Sequence, residues 1–287
     1  MTEESQYLLS MARRIIAPYT ELPQARAAMV TGSVAEGESD RYSDIDMTVY
    51  YEALPEDAEL DAIKAANGGG ERNWIIGDRA EGAFAESYHV DGVEVQIGHA
   101  TIEAWERDMV QVLVELDAST PLHKALSGTL DCIPLYGDEL IHKWKAAAAD
   151  YPDALAKAMV EAHLKFFPLW GLQGRLLSRD SLVWRQDSLV EAAQNVLGIL
   201  AGLNRLYYST FQFKRMRRFV GRMKIAPADL PQRIENLFTL ESEQAAVLLE
   251  SLVQETVDLV KIHMPDVDTA AATKRLGWRQ QPWTPAS

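Results

Sequence analysis

The sequence predicts an α+β domain built on a mixed sheet with helices, followed by an all-α helical bundle domain. Two observations carry that reading. Through the first 140 or so residues, short β-branched runs alternate with segments of helical period; from about Leu140 onward only helical period remains. At 287 residues, each half is long enough to bury a core of its own. The domains are placed at residues 1–145 and 146–287, with KWKAAAADYPD, Lys143 to Asp153, as the joint.

The elements follow in order. Tyr7, Leu8, Met11, Ile15 and Ile16 recur at helical spacing behind Thr2, a candidate cap, and Pro18 is expected to end that helix. Ala27 to Thr31 and Ile45 to Tyr51 read as strands, and Glu56 to Ala66 as a helix that closes in the loop Asn67-Gly68-Gly69-Gly70. Asn73 to Ile76 reads as a strand, and Tyr88 to Ile97 as a hairpin around Asp91-Gly92. Thr101 caps a helix whose Ile102, Trp105, Met109 and Leu113 share one face. In the second half, Ala154 to Leu177, Ser188 to Phe211, Pro231 to Leu240 and Glu241 to His263 read as helices, the first bent or split at Pro168.

Composition narrows the function. The net charge of -14 disfavours a long nucleic acid or an anionic membrane as partner, while a small or cationic substrate fits. One cysteine, Cys132, excludes an internal disulfide framework. With no leader-like start and no apolar run of membrane length, the expectation is a cytoplasmic protein.

Thr31 to Tyr51, TGSVAEGESDRYSDIDMTVYY, holds two phosphate-handling patterns. Gly32 to Ser39 spells G-x-x-x-x-G-E-S, but Glu38 stands where a P-loop needs lysine, and a carboxylate there repels a triphosphate. The second pattern is stronger. Residues two apart in a strand point the same way, so Asp44 and Asp46 share one face, roughly 7 Å apart, opposite Ile45, Met47 and Val49. Oxygen donors so placed suit Mg²⁺. Gly32 lets backbone approach a phosphate closely, and Ser33 adds a hydroxyl at a helix start.

Gly32-Ser33 followed by Ser43-Asp44-Ile45-Asp46 resembles the signature of the DNA polymerase β superfamily of nucleotidyltransferases. Val93-Glu94-Val95-Gln96-Ile97 is similar to the strand that bears that family's third carboxylate. Within it, the chain is most similar to aminoglycoside adenylyltransferases of the streptomycin/spectinomycin type, which join a catalytic domain to a helical one. LNRLYYS, Leu203 to Ser209, and KIAPAD, Lys224 to Asp229, add shorter matches.

The resemblance implies a nucleotidyltransferase domain over residues 1–145, and a helical domain over 146–287 that helps bind nucleotide and substrate. It implies two Mg²⁺ ions on Asp44, Asp46 and Glu94, ATP as co-substrate, and AMP transfer to a small-molecule hydroxyl with release of pyrophosphate. Glu94 is a candidate general base. Nucleotide contacts are expected from Gly32, Ser33, Ser43, Arg205 and Lys224. Helical turns counted back from Arg205 place Glu191 and Asn195 as acceptor-binding candidates, although an acid would be expected where Asn195 stands.

Six cations lie between Lys214 and Lys224 with no acid among them, a pattern that suits a triphosphate or, equally, a solvated helix face. Modification of a protein acceptor and a non-catalytic nucleotide-binding role stand as alternatives. His99 and His163 read as ordinary hydrogen-bonding residues, and Trp170 and Trp184 as packing aromatics.

Overall fold

The computed structural model describes residues 1–177 and 179–283. The chain divides into two compact units: Met1–Glu115 with Ala125–Asp150, and Leu116–Lys124 with the chain from Tyr151 on. The grouping of Leu116–Lys124 with the second unit comes from side chains that leave no periodic pattern. Ala118 packs on the helical core, and the His123 ring lies 5.8 Å from that of Tyr207.

The first unit runs α1 (Glu3–Thr20), β1 (Ala25–Val30), α2 (Gly32–Glu36), β2 (Ile45–Tyr51), α3 (Asp57–Ala66), β3 (Arg72–Asp78), β4 (Ala83–Val90), β5 (Val93–Thr101) and α4 (Ile102–Leu113). It closes with the part of α5 (Leu122–Asp131) from Ala125 on, β6 (Ile133–Tyr136) and α6 (Asp138–Ala149). The six strands lie in the order β3-β4-β5-β2-β1-β6; β2 and β5 are parallel and every other pair antiparallel. This is a mixed sheet with helices.

Alternation decides what each sheet face carries. Ile45, Met47, Val49, Val95 and Ile97 turn to one side and form a core with Leu8, Ala12 and Ile15 of α1 and Leu60 of α3. On the other side, Tyr50 packs against Trp144 at 4.6 Å and Trp105 at 6.0 Å near the ends of β2 and β5. Asp44 and Asp46, with Glu94 and Gln96, occupy the beginnings of the same two strands on that second side. The face is thus apolar at one end and acidic at the other.

Side chains cap the starts of α1, α3 and α4. Thr2 accepts from Ser5 N–H, Thr101 accepts from Ala104 N–H, and Glu56 with Glu59 forms a capping box. Pro18 does not end α1. The helix continues to Thr20 because Tyr19 is fully buried and its hydroxyl lies 2.9 Å from that of Tyr88, a tertiary anchor that outweighs one missing amide. Strand β6, IPLY, was not expected from its sequence. It pairs only with β1 at the sheet edge, where Pro134 is tolerated.

The second unit contains α7 (Asp153–His163), α8 (Gln173–Leu177), α9 (Leu182–Leu203), α10 (Met216–Gly221), α11 (Leu230–Thr239), α12 (Ser242–His263) and α13 (Ala270–Thr273). Among the described residues no strand follows Tyr136. The core centres on α9, buried without interruption from Asn195 to Leu203, with α7, α11 and α12 contributing Met159, Val160, Leu237, Leu252 and Val253.

Two helices differ from expectation. The segment Ala154 to Leu177 breaks at His163, before Pro168, where Asn195 Nδ2 donates to the Lys165 carbonyl. The segment Ser188 to Phe211 begins earlier, at Leu182, and stops at Leu203. There the Asn204 amide donates to Leu200 O at 2.7 Å, and Arg205 takes a left-handed φ of 52°. Among the described residues no helix is long and apolar enough to cross a membrane.

Candidate active site

Three chain segments meet at the acidic end of the sheet. The turn after β1 is the first. Thr31 N–H donates to Asp46 O at 2.9 Å, which ties the start of α2 to β2. Gly32 follows with φ 62°, and a Cβ there would stand 2.4 Å from Asp46 Oδ2. The left-handed φ favours glycine, and a side chain here would push the Asp46 carboxylate aside. First-turn amides of α2 lack intrahelical acceptors, as at any helix start.

The turn is held from behind by the N-terminal helix. Thr2 N–H donates to Gly37 O, Thr2 Oγ1 to Ser39 O, and Ser39 N–H to Ser5 Oγ, at 2.8 to 3.0 Å. Buried Ser39 in turn donates to Ser33 Oγ at 3.2 Å. Glu38, which excluded the P-loop, is exposed. Ser43, expected at the nucleotide, closes a local turn instead: its hydroxyl accepts from Asp40 N–H at 3.0 Å and donates to Asp40 Oδ1 at 3.1 Å.

The second and third segments are the starts of β2 and β5. Asp46 lies opposite Gln96, and Gln96 Nε2 donates to Asp44 Oδ2 at 2.8 Å. Glu94 lies two residues before Gln96 on the same face, and its Oε1 accepts from Ser87 Oγ of β4 at 2.6 Å. All three acids are half-buried. Among the described residues, no three carboxylate, imidazole or thiol groups lie close enough together to hold a metal ion.

The structure therefore brings Gly32, Ser33, Asp44, Asp46 and Glu94 to one end of one sheet face, with Asp44 and Glu94 each engaged by a neighbouring polar side chain. Gln96 and Ser87 escaped the sequence reading. The alternation that aligned Asp44 with Asp46 also aligns Gln96 with Glu94, so Gln96 was within reach of it.

Beneath the acids, on the opposite sheet face, lies a buried polar group. Glu86 is fully buried; Arg72 Nε donates to its Oε2, and His99 Nε2 stands 3.5 Å from its Oε1. Burial alone would raise the Glu86 pKa, but His99 and Arg72 together hold it below the ordinary carboxylate value. Burial pushes His99 below the ordinary imidazole value despite Glu86 beside it, and Tyr51 Oη lies 3.1 Å from its Nδ1.

In the helical unit, Asn204 brings together two of the expected cations. Its Oδ1 accepts from the N–H groups of Lys224 at 2.7 Å and Ile225 at 2.9 Å, and its Nδ2 donates to Ile225 O at 2.8 Å. Arg205, the next residue, is thereby held beside the Lys224 backbone. Its guanidinium makes two hydrogen bonds to Asp153 Oδ1, at 2.6 and 2.9 Å, in an exposed pair. Sequence reading named both cations and missed the asparagine that joins them.

The other expectations in this unit separate. Glu191 is exposed, but Asn195 is buried at 4 %, with Oδ1 3.1 Å from His163 Nδ1 and Nδ2 on Lys165 O. Both ends of the amide expected to contact the acceptor are used within the protein. The count of helical turns back from Arg205 failed because α9 ends before Arg205. Within the basic cluster, Arg217 pairs with Glu235, and Lys214 lies over the Phe211 ring at 5.6 Å. Trp170 is core, donating to Arg275 O, whereas Trp184 is partly exposed against Phe167.

No family model matches the chain, and no curated protein matches it. Among solved structures it is similar to a nucleotidyltransferase-like protein from Exiguobacterium sibiricum 255-15, at 13% identity and a TM-score of 0.40, covering 91% of this chain and 81% of that one. It is also similar to the structure of a GLD-2/RNP-8 complex, at 11% identity and a TM-score of 0.27, covering 88% and 78%. At such scores neither likeness bears weight, and the fold rests on the strands and helices themselves.

Proposed function

We propose that the chain is an Mg²⁺-dependent nucleotidyltransferase that moves AMP from ATP to a hydroxyl of a small molecule and releases pyrophosphate. The observation that carries this reading is the seating of Asp46 on Gly32, which joins a phosphate-approaching turn to an acidic strand. Asp44 and Glu94 lie on the same face, and their oxygens are of the kind a hard divalent cation takes, although the three carboxylates would have to draw closer together to share one ion. When bound, the metal would lower the pKa of the attacking hydroxyl and offset charge on the triphosphate.

The roles of the chain's own groups follow. Gly32 and Ser33 offer backbone and hydroxyl donors to phosphate. Asp44, Asp46 and Glu94 are the residues that would hold the metal, Asp44 and Glu94 in place of their bonds from Gln96 and Ser87, and Glu94 is the group placed to take the acceptor proton. Arg205 and Lys224 are the cations assigned to the triphosphate; the Arg205 pair with Asp153, with the acid 83% exposed, is weak enough to give way. The net charge of -14 favours a cationic acceptor of the aminoglycoside kind.

The test is to incubate the full chain with α-labelled ATP, Mg²⁺ and a panel of aminoglycosides, lincosamides and cell lysate. Label on one acceptor together with pyrophosphate release is expected. Asp46→Asn and Glu94→Gln should each lower turnover by about 100-fold or more, since metal-assisted charge stabilisation is worth several kcal/mol. Turnover that survives both substitutions would overturn the assignment. Label confined to a lysate protein would replace the small-molecule acceptor with a protein one.

A further inference from the structure

The turn between α2 and β2 holds an aromatic ring out in solvent. Ser39, whose hydroxyl donates to Ser33 Oγ, leads into this turn and Asp44 follows it, so it links a residue assigned to phosphate with one assigned to metal. Its two small polar residues are spent on keeping its shape. Asp40 Oδ1 accepts from Tyr42 N–H at 2.9 Å and from the Ser43 hydroxyl at 3.1 Å; Ser43 Oγ accepts from Asp40 N–H, and Ser43 N–H donates to Asp40 O. What the turn presents is Tyr42, 98% exposed, beside Arg41, whose side chain is 90% exposed.

A lone exposed aromatic is ordinary on a protein surface. Tyr42 differs in its place, two residues before Asp44 on a backbone fixed by hydrogen bonds. Of the parts of a nucleoside triphosphate, the base is the flat one, and a tyrosine ring offers it a matching face. A polycationic acceptor could also meet the ring, through cation–π attraction, but Arg41 beside it repels a cation, whereas a guanidinium stacks on flat aromatic systems.

We propose that Tyr42 is the nucleobase platform of the site, with the adenine ring of ATP lying on its face while Gly32 and Ser33 meet the phosphates. This rests on the nucleotidyltransferase reading and adds to it a residue for the base, which none of the groups assigned so far contacts. Burying the exposed ring under the base removes apolar surface of both from water.

The experiment is isothermal titration of the full chain, in Mg²⁺, with α,β-methylene-ATP, which cannot transfer AMP, and in parallel with inorganic tripolyphosphate, which has the phosphates and no base. Tyr42→Ala is expected to bind the nucleotide analogue about tenfold or more weakly, as the loss of one base–aromatic stack implies, and to bind tripolyphosphate as the wild type does. Tyr42→Phe, which keeps the ring, should restore the affinity for the analogue. Thermal unfolding checks that the fold is kept, as the exposure of the ring leads one to expect. Equal affinity of wild type and Tyr42→Ala for the analogue, or a loss shared by tripolyphosphate, would overturn the platform and leave the nucleotidyltransferase reading standing. A wild-type chain that binds neither ligand would overturn both.

Discussion

Gly32 is where the chemistry of single residues is most constrained. Its φ of 62° disfavours any side chain by roughly 1–2 kcal/mol, and the 2.4 Å approach of a Cβ to Asp46 adds a clash. Gly32→Ala is therefore expected to cost about 2–3 kcal/mol in urea unfolding and to displace the Asp46 carboxylate. Activity should fall more than the stability loss accounts for; a variant with wild-type turnover would show that the seating of Asp46 is not used. The shared face of Asp44 and Asp46 was readable from alternation, whereas Glu94 was singled out by the family resemblance. What alternation does not carry is the occupancy of a side chain: Ser43 is bound into its own turn by Asp40, and Asn195 into the core by His163 and Lys165, about thirty residues away.

At the scale of elements, the strands were the readable part, because period 2 leaves the same mark in sequence as in the sheet. The starts of β2 and β5 follow from it closely, whereas β4 begins at Ala83, ahead of the Tyr88 expected. In the second unit α11 and α12 also follow the reading to within a residue, but the ends of α7 and α9 do not, because side chains decide them. Asn204 both stops α9 and clamps the backbone at Lys224 and Ile225, and no local pattern announces either role. Asn204→Ala leaves two backbone N–H groups without their acceptor, so a loss of about 2–3 kcal/mol is expected. If Arg205 and Lys224 act on ATP, its KM should rise as well; a stability loss with unchanged KM would limit Asn204 to a structural part.

Close packing makes a further demand on α9. A Cβ on Gly202 would meet Ala156 O and Val160 Cγ2 of α7, both at 2.8 Å. Backbone cannot move aside as a flexible side chain can, so Gly202→Ala should cost about 1–3 kcal/mol by overpacking, although alanine is the better helix former. Thermal unfolding checks the sign: a stabilised variant would mean that α7 and α9 adjust freely.

Across the whole molecule, buried titratable groups set the response to acid. Burial lowers His99, His123 and His163 below 6.5, and His99 with Arg72 holds Glu86 below 4.5. For the histidines, the unfolded chain gains protons near pH 6.5 that the folded chain refuses, so their stability contribution is complete above that pH and declines as pH falls. Glu86 acts in the same direction at lower pH, its contribution lost as pH falls through its folded pKa. Net charge acts the other way. Approach to the isoelectric point near 4.9 relieves the self-repulsion of a chain at -14. Between pH 7.5 and 5.5 the histidines should dominate, because dispersed surface repulsion is screened by salt while their desolvation is not. The melting temperature at 0.15 M salt is thus expected to fall over that interval, and His123→Gln, which removes one of the three protonations, should flatten the fall. A melting temperature that rises toward pH 5.5 would mean that charge relief outweighs the buried histidines.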